Sequence, residues 1–85
     1  MILLLFKLLI LLKLLKILND LHPEVDFESN ESLVDDGILD SLDIVSLVTE
    51  IYAEFDVTIP AEEIVPENFN SAKALMALIT KIDEE

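Results

Sequence analysis

From Met1 to Leu18 the chain reads MILLLFKLLILLKLLKIL, an apolar run interrupted only by Lys7, Lys13 and Lys16. Leucine and lysine favour helix, and neither Gly nor Pro breaks the run, so the pattern predicts a helix over 1–18 with almost no polar face. Pro23 closes it, because the residue before a proline is pushed out of the α region, which leaves His22 at the helix end. A polar stretch over 24–40 follows, in which Phe27, Leu33, Val34, Ile38 and Leu39 are isolated apolar residues. That is the pattern of a long loop pinned onto a core. Gly37, after Asp35 and Asp36, reads as a turn position with positive φ. From Ser41 a helical period returns. At 100° per residue Ile44, Val45, Leu47, Val48, Ile51, Tyr52 and Phe55 share an arc of about 160°, which predicts a helix over 41–55 with those residues inward. Asp43, Ser46, Thr49, Glu50 and Glu54 lie opposite, with Leu42 among them as a lone exposed leucine. Val57-Thr58-Ile59 is too short to support a sheet. Pro60 opens a short helical turn over 61–64, and Pro66 stops it. Asn70 or Ser71 then caps a last helix over 72–82, with Ala72, Leu75, Met76, Ile79 and Ile82 on one face and the tail 83–85 in solvent. The expected fold is a single all-α domain over 1–85: three longer helices, one short one and a long first loop.

Composition narrows the function. Eighty-five residues allow one small domain without a large enzyme core. Hydrophobic residues make up 53%, which excludes a disordered acidic tail. Eighteen Asp and Glu against five Lys give a net charge of −13, which argues against nucleic acid as a partner and favours basic proteins. The chain has no cysteine, hence no disulfide framework, and this suits a cytoplasmic protein. The charge is also unevenly placed. Every acid lies from Asp20 onward, so residues 1–18 carry +3 and the remainder −16. Three lysines within 18 residues, each costing about 2.5–3.5 kcal/mol at a bilayer centre, argue against a spanning helix. A signal peptide would place its positive charges before the apolar run, and no small-residue cleavage site appears. Residues 1–18 therefore read as the first helix of a bundle. Contact with a membrane surface and pairing with another copy remain as alternatives, since the lysines occupy about half the circumference and their stems can lie on apolar surface.

Little catalytic chemistry is assembled. His22 is the only histidine and reads as a helix-end residue; without a second His or a Cys it makes neither a zinc site nor a nucleophile–base pair. Asp35, Asp36, Asp40 and Asp43 do not match a calcium hand loop. A working pair of carboxylates would need a cleft that so small a chain hardly offers. We expect neither a catalytic residue nor a metal ligand, and hence no enzyme.

The informative string is Asp36-Gly37-Ile38-Leu39-Asp40-Ser41-Leu42-Asp43-Ile44-Val45. It resembles the acyl and aminoacyl carrier protein family, whose mark is Asp-Ser-Leu at the start of the second helix of a four-helix bundle. The resemblance extends from about Leu14 to Ile82 and includes Glu54-Phe55-Asp56, Ile59-Pro60 and Asn70-Ser71. It implies that the Ser41 hydroxyl carries 4′-phosphopantetheine, derived from coenzyme A, and that the arm's thiol holds cargo as a thioester for partner enzymes. The residues fit: Ser41 follows a loop at a helix N-terminus, where backbone N–H groups and the helix dipole favour a phosphate. The competing local reading makes Ser41 or Asp40 an N-cap, with Asp43 a favourable charge in the first turn.

The implied partners are a phosphopantetheinyl transferase and loading and transferring enzymes with basic patches. Asp36, Asp40, Asp43, Glu50 and Glu54 would steer them, with Leu42 as the apolar contact; otherwise these acids form a solvated face. The first expectation for cargo is the general one, an acyl carrier as in fatty acid biosynthesis. The alternative is a D-alanyl or other aminoacyl carrier loaded by an adenylation enzyme, which the Gly37-x-Leu39-Asp40-Ser41 spacing, the Phe69-Asn70-Ser71 entry and the interruptions at Ser46, Tyr52 and Ala53 resemble more closely. A reading of another class is an unmodified acidic helical interaction module. The apolar first helix departs from the more charged one usual in the family.

Overall fold

A computed structural model describes residues 2–84, with the exception of the Leu3 side chain. Met1 of the apolar run and Glu85 of the acidic tail lie outside the described residues. The elements are α1 (Ile2–Leu21), α2 (Ser41–Phe55), a 3-10 turn (Ala61–Glu63), α3 (Pro66–Phe69) and α4 (Ala72–Asp83). The fold is all-α, with three long helices and one short one, as expected. α1 packs against both α2 and α4, and α3 packs against α4.

α1 faces the core through Ile10, Leu14 and Leu18, spaced four apart on one side. It runs past Leu18 to Leu21, and the His22 N–H still donates to the Leu18 carbonyl at 3.0 Å before Pro23 ends the turn. Leu47 and Ile51 of α2 and Leu75, Leu78 and Ile79 of α4 complete the centre. The loop between α1 and α2 is pinned by buried Phe27, Leu33 and Leu39, and Gly37 has φ +75°, in the left-handed region that favours glycine.

Several expectations are corrected. Val45 and Tyr52, predicted inward on α2, are 61% and 56% exposed. They lie at one edge of the apolar arc. On α4 the predicted face omitted Leu78, which is buried, while Met76 and Ile82 are only half-buried. The short helix expected over 61–64 is a 3-10 turn, and Pro66 opens α3 instead of merely ending the turn before it. Proline suits that first helical position, since its missing N–H would have had no partner there and its φ is already helical. Ser71 caps α4 by accepting from the Ala74 N–H at 3.0 Å. Asn70 does something else. Its Oδ1 accepts from the N–H groups of Val34 (2.9 Å) and Asp35 (3.1 Å), and its carbonyl accepts from Leu33 at 2.9 Å. The loop that leads to Ser41 is thereby tied to the junction of α3 and α4.

Candidate functional site

The start of α2 is set by Asp40, whose extended backbone (φ −100°, ψ −177°) turns the chain into the helix. Its Oδ1 accepts from the Asp43 N–H at 2.9 Å, and the Asp43 Oδ2 accepts from the Asp40 N–H at 3.2 Å. This reciprocal capping box satisfies two otherwise orphaned donors and is worth about 1 kcal/mol. Capping therefore falls to Asp40. Ser41, the first helical residue, is exposed, and among the described residues nothing hydrogen-bonds its hydroxyl. As at any helix start, the N–H groups of Ser41 and Leu42 have no carbonyl four residues back to bond, so they sit at the positive end of the dipole.

A second element reaches this point from α1. The Asp43 Oδ2 lies 2.9 Å from the His22 Nε2, and the His22 Nδ1 lies 3.5 Å from the Glu24 Oε2. The hydrogen bond that His22 donates to Asp43, and the charges of Asp43 and Glu24, lift the His22 pKa above its ordinary 6.5 despite some desolvation. In turn the hydrogen bond to His22, with help from the Asp40 N–H, holds the Asp43 carboxyl below its ordinary 3.8. His22, read from sequence as a helix-end residue, is thus joined to the head of the Ser41 helix.

Of the acids expected to face partners, Asp36 and Asp40 are exposed near Ser41, and Leu42 is 74% exposed beside it. Asp43 differs: its side chain is only 19% exposed and is engaged by His22 and Asp40, because it is the third residue of the helix and closes the capping box. Glu50 is exposed farther along α2. Glu54 lies about 20 Å along the helix axis from Ser41, and its Oε1 is 3.2 Å from the Lys13 Nζ. Nothing in the sequence pairs His22 with Asp43 or Asn70 with Val34, since each partner is distant in the chain.

Beside Ser41 runs an open groove of about 580 Å³ between α2 and the segment leading into α3. Val48 and Val45 form one wall, Ile64 and Phe69 the other, and Leu39 and Val34 close the loop side. The exposed Val45 that the core does not use is a wall of this groove. Chemically the arrangement offers an acceptor hydroxyl at a helix N-terminus, bordered by an apolar channel.

A family profile described as the phosphopantetheine attachment site matches residues 10–82. The D-alanyl carrier protein of Streptococcus mutans serotype c is 35% identical over 71 residues, covering 82% of this chain and 90% of that protein. Aminoacyl carrier protein 1 of Bradyrhizobium diazoefficiens is 43% identical over 70 residues, covering 81% and 77%. Aminoacyl carrier protein 2 of the same organism is 45% identical over 60 residues, covering 71% and 60%. No solved structure matches.

Proposed function

Because the chain belongs to the phosphopantetheine-attachment carrier family, we propose that Ser41 bears the 4′-phosphopantetheine arm and that the cargo held there is an aminoacyl group. The observation that carries the first half is the division of labour at the head of α2. Asp40 makes the cap, so the Ser41 hydroxyl is exposed and uncommitted. The second half is supported by relatives named as D-alanyl and aminoacyl carriers, which favour the alternative over the general acyl reading and give no support to fatty acid biosynthesis.

The residues present suit a phosphodiester. The N–H groups of Ser41 and Leu42 point from the positive end of α2, while the nearby Asp40 and Asp43 carboxylates are engaged by backbone N–H groups and His22. The apolar groove offers a place for the less polar part of an arm or its cargo. When attached, the group supplies the thiol that this cysteine-free chain lacks. The chain's own part is positional: it holds Ser41 on a fixed helix end and offers Asp36, Asp40, Leu42 and Glu50 to visiting enzymes with basic patches, among them a phosphopantetheinyl transferase and an adenylating loader. The relatives are named as carriers and not as enzymes. Cysteine-free composition supports a cytoplasmic setting.

Intact mass after incubation with coenzyme A, magnesium and a phosphopantetheinyl transferase tests the attachment. Wild type should gain the arm and Ser41→Ala should not; equal gain by both, or none by wild type while a control carrier is modified, would refute it. Cargo is read by offering the modified chain to an ATP-using D-alanine adenylating enzyme and, separately, to an acyl-loading enzyme. Acyl loading without aminoacyl loading would overturn the second half.

A further inference from the structure

We propose that the N-terminal half of α1 is a docking element for an anionic lipid surface. The two halves of this helix behave differently. Ile10, Leu14 and Leu18 are buried against α2 and α4, whereas Ile2, Leu4, Leu5, Phe6, Leu8 and Leu9 are between 49% and 84% exposed. The family profile matches residues 10–82, so these six lie outside the matched range.

Two observations select lipid as the occupant. The first is breadth. At 100° per residue the six side chains spread over about 200° of the circumference, whereas a helix meets one packed neighbour through a stripe little more than 100° wide. A second copy packed along α1 would leave much of that surface wet; the interfacial region of a bilayer would surround it. The second is charge. α1 carries Lys7, Lys13 and Lys16 and no acid before Asp20. Pairing two copies side by side through this half of α1 would set Lys7 against Lys7. Anionic headgroups complement Lys7, the lysine of the docking segment itself, instead; Lys13 lies 3.2 Å from Glu54 and Lys16 3.9 Å from Asp20.

The geometry describes a tip that lies in the surface without crossing it. No described helix is long and apolar enough to span a membrane. Residues 2–9 extend about 10 Å along the axis, comparable with the depth that interfacial helices reach. Glu54 and Asp83 border Leu9 and Ile10, and their charges keep the body from following. At the other end of α1, His22 holds Asp43 in the first turn of α2. Leu5 and His22 are about 26 Å apart along the axis, so a chain docked by its tip presents Ser41 away from the bilayer.

The test is co-sedimentation of the unmodified 85-residue chain with sucrose-loaded vesicles, either of phosphatidylcholine alone or of phosphatidylcholine containing one-third phosphatidylglycerol. Wild type should pellet with the anionic vesicles and be released by salt. The paired variant Leu5→Gln, Leu8→Gln should stay in the supernatant with an unchanged helical circular dichroism spectrum. Lys7→Gln should lose about fivefold in affinity for anionic vesicles, with little change on neutral ones. Ser41→Ala should pellet like wild type, which separates this result from the fate of the carrier reading. Wild type remaining in the supernatant overturns the proposal, as does pelleting by the double-glutamine leucine variant. A lipid-free chain of twice the monomer mass that the leucine substitutions return to monomer assigns the surface to a second copy instead and equally overturns it.

Discussion

Asp43 connects three parts of the molecule, and removing its carboxylate should cost more than a surface acid normally does. Asp43→Ala strips the Asp40 N–H of its side-chain acceptor at 3.2 Å and His22 of its partner at 2.9 Å. Half a capping box is worth about 0.5–1 kcal/mol. A part-exposed ion pair, with side chains 27% and 19% accessible, adds about 0.5–1 kcal/mol after allowing for solvent screening. The sum, about 1–2 kcal/mol, should lower the melting temperature by roughly 5–12 °C in a domain of this size. The ion-pair share is isolated by a double-mutant cycle of His22→Ala and Asp43→Asn, the amide preserving an acceptor for the Asp40 N–H. Its pH dependence follows from the direction of each shift. The folded His22 value lies above 6.5, so the stability it adds is whole below 6.5 and is lost as pH rises through the raised value. The folded Asp43 value lies below 3.8, so its contribution is whole above 3.8 and is lost as pH falls through the lowered value. The pair works at full strength between those limits. Urea unfolding followed by circular dichroism, run at about pH 5.5 and at about pH 9, reads the coupling at each. A coupling near zero at pH 5.5, or one unchanged at pH 9, would show that the contact does not act as an ion pair. Using the cycle instead of the raw stability also cancels the general relief of self-repulsion that any acidic chain gains as pH falls.

Three further outcomes can be checked. Asn70→Ala should cost about 1–2 kcal/mol and speed amide exchange at Val34 and Asp35, while Leu33, held by the residue-70 carbonyl, stays protected; uniform loss of protection would mean that the side chain supports the whole loop. Gly37→Ala should cost about 1–2 kcal/mol through backbone strain alone, since an added Cβ at φ +75° meets nothing within 4 Å, and a urea midpoint unchanged from wild type would contradict this. Added sodium chloride or magnesium should raise the melting temperature by screening repulsion among 18 acids, and a flat response would remove self-repulsion from the account.

What the sequence reveals depends on how locally each feature is encoded. The helix over 41–55 is legible because its inward residues repeat with the helical period, and Gly37 because only a turn with positive φ asks for glycine there. The first helix is legible as a helix but not in orientation: with leucine on every side, the pattern does not say that Ile10, Leu14 and Leu18 turn inward while Leu5 and Leu8 do not. Val45 and Tyr52 are apolar and in phase, yet exposed, because an arc records what a helix is able to bury and not where its neighbours stop. Pro66 carries two meanings, end of one turn and first residue of the next, and local sequence favours neither. At the candidate site the Asp-Ser-Leu string singles out Ser41, but which of Asp40 and Ser41 makes the cap is settled only by the bond from the Asp43 N–H. The roles of His22 and Asn70 arise from contacts across 21 and more than 30 positions of chain, which only the folded arrangement creates.

The assignment of the helix cap to Asp40 bears on how the chain would tolerate being chemically altered. If Ser41 were the cap, esterifying its oxygen would remove an acceptor from the fold, and each round of modification would be charged against stability. With Asp40 in that place, attachment at the Ser41 oxygen takes no acceptor away from the fold. Bare and substituted chains would then share one helix cap, and any difference in their melting would report the appendage's own contacts with the α2 N-terminus and the groove.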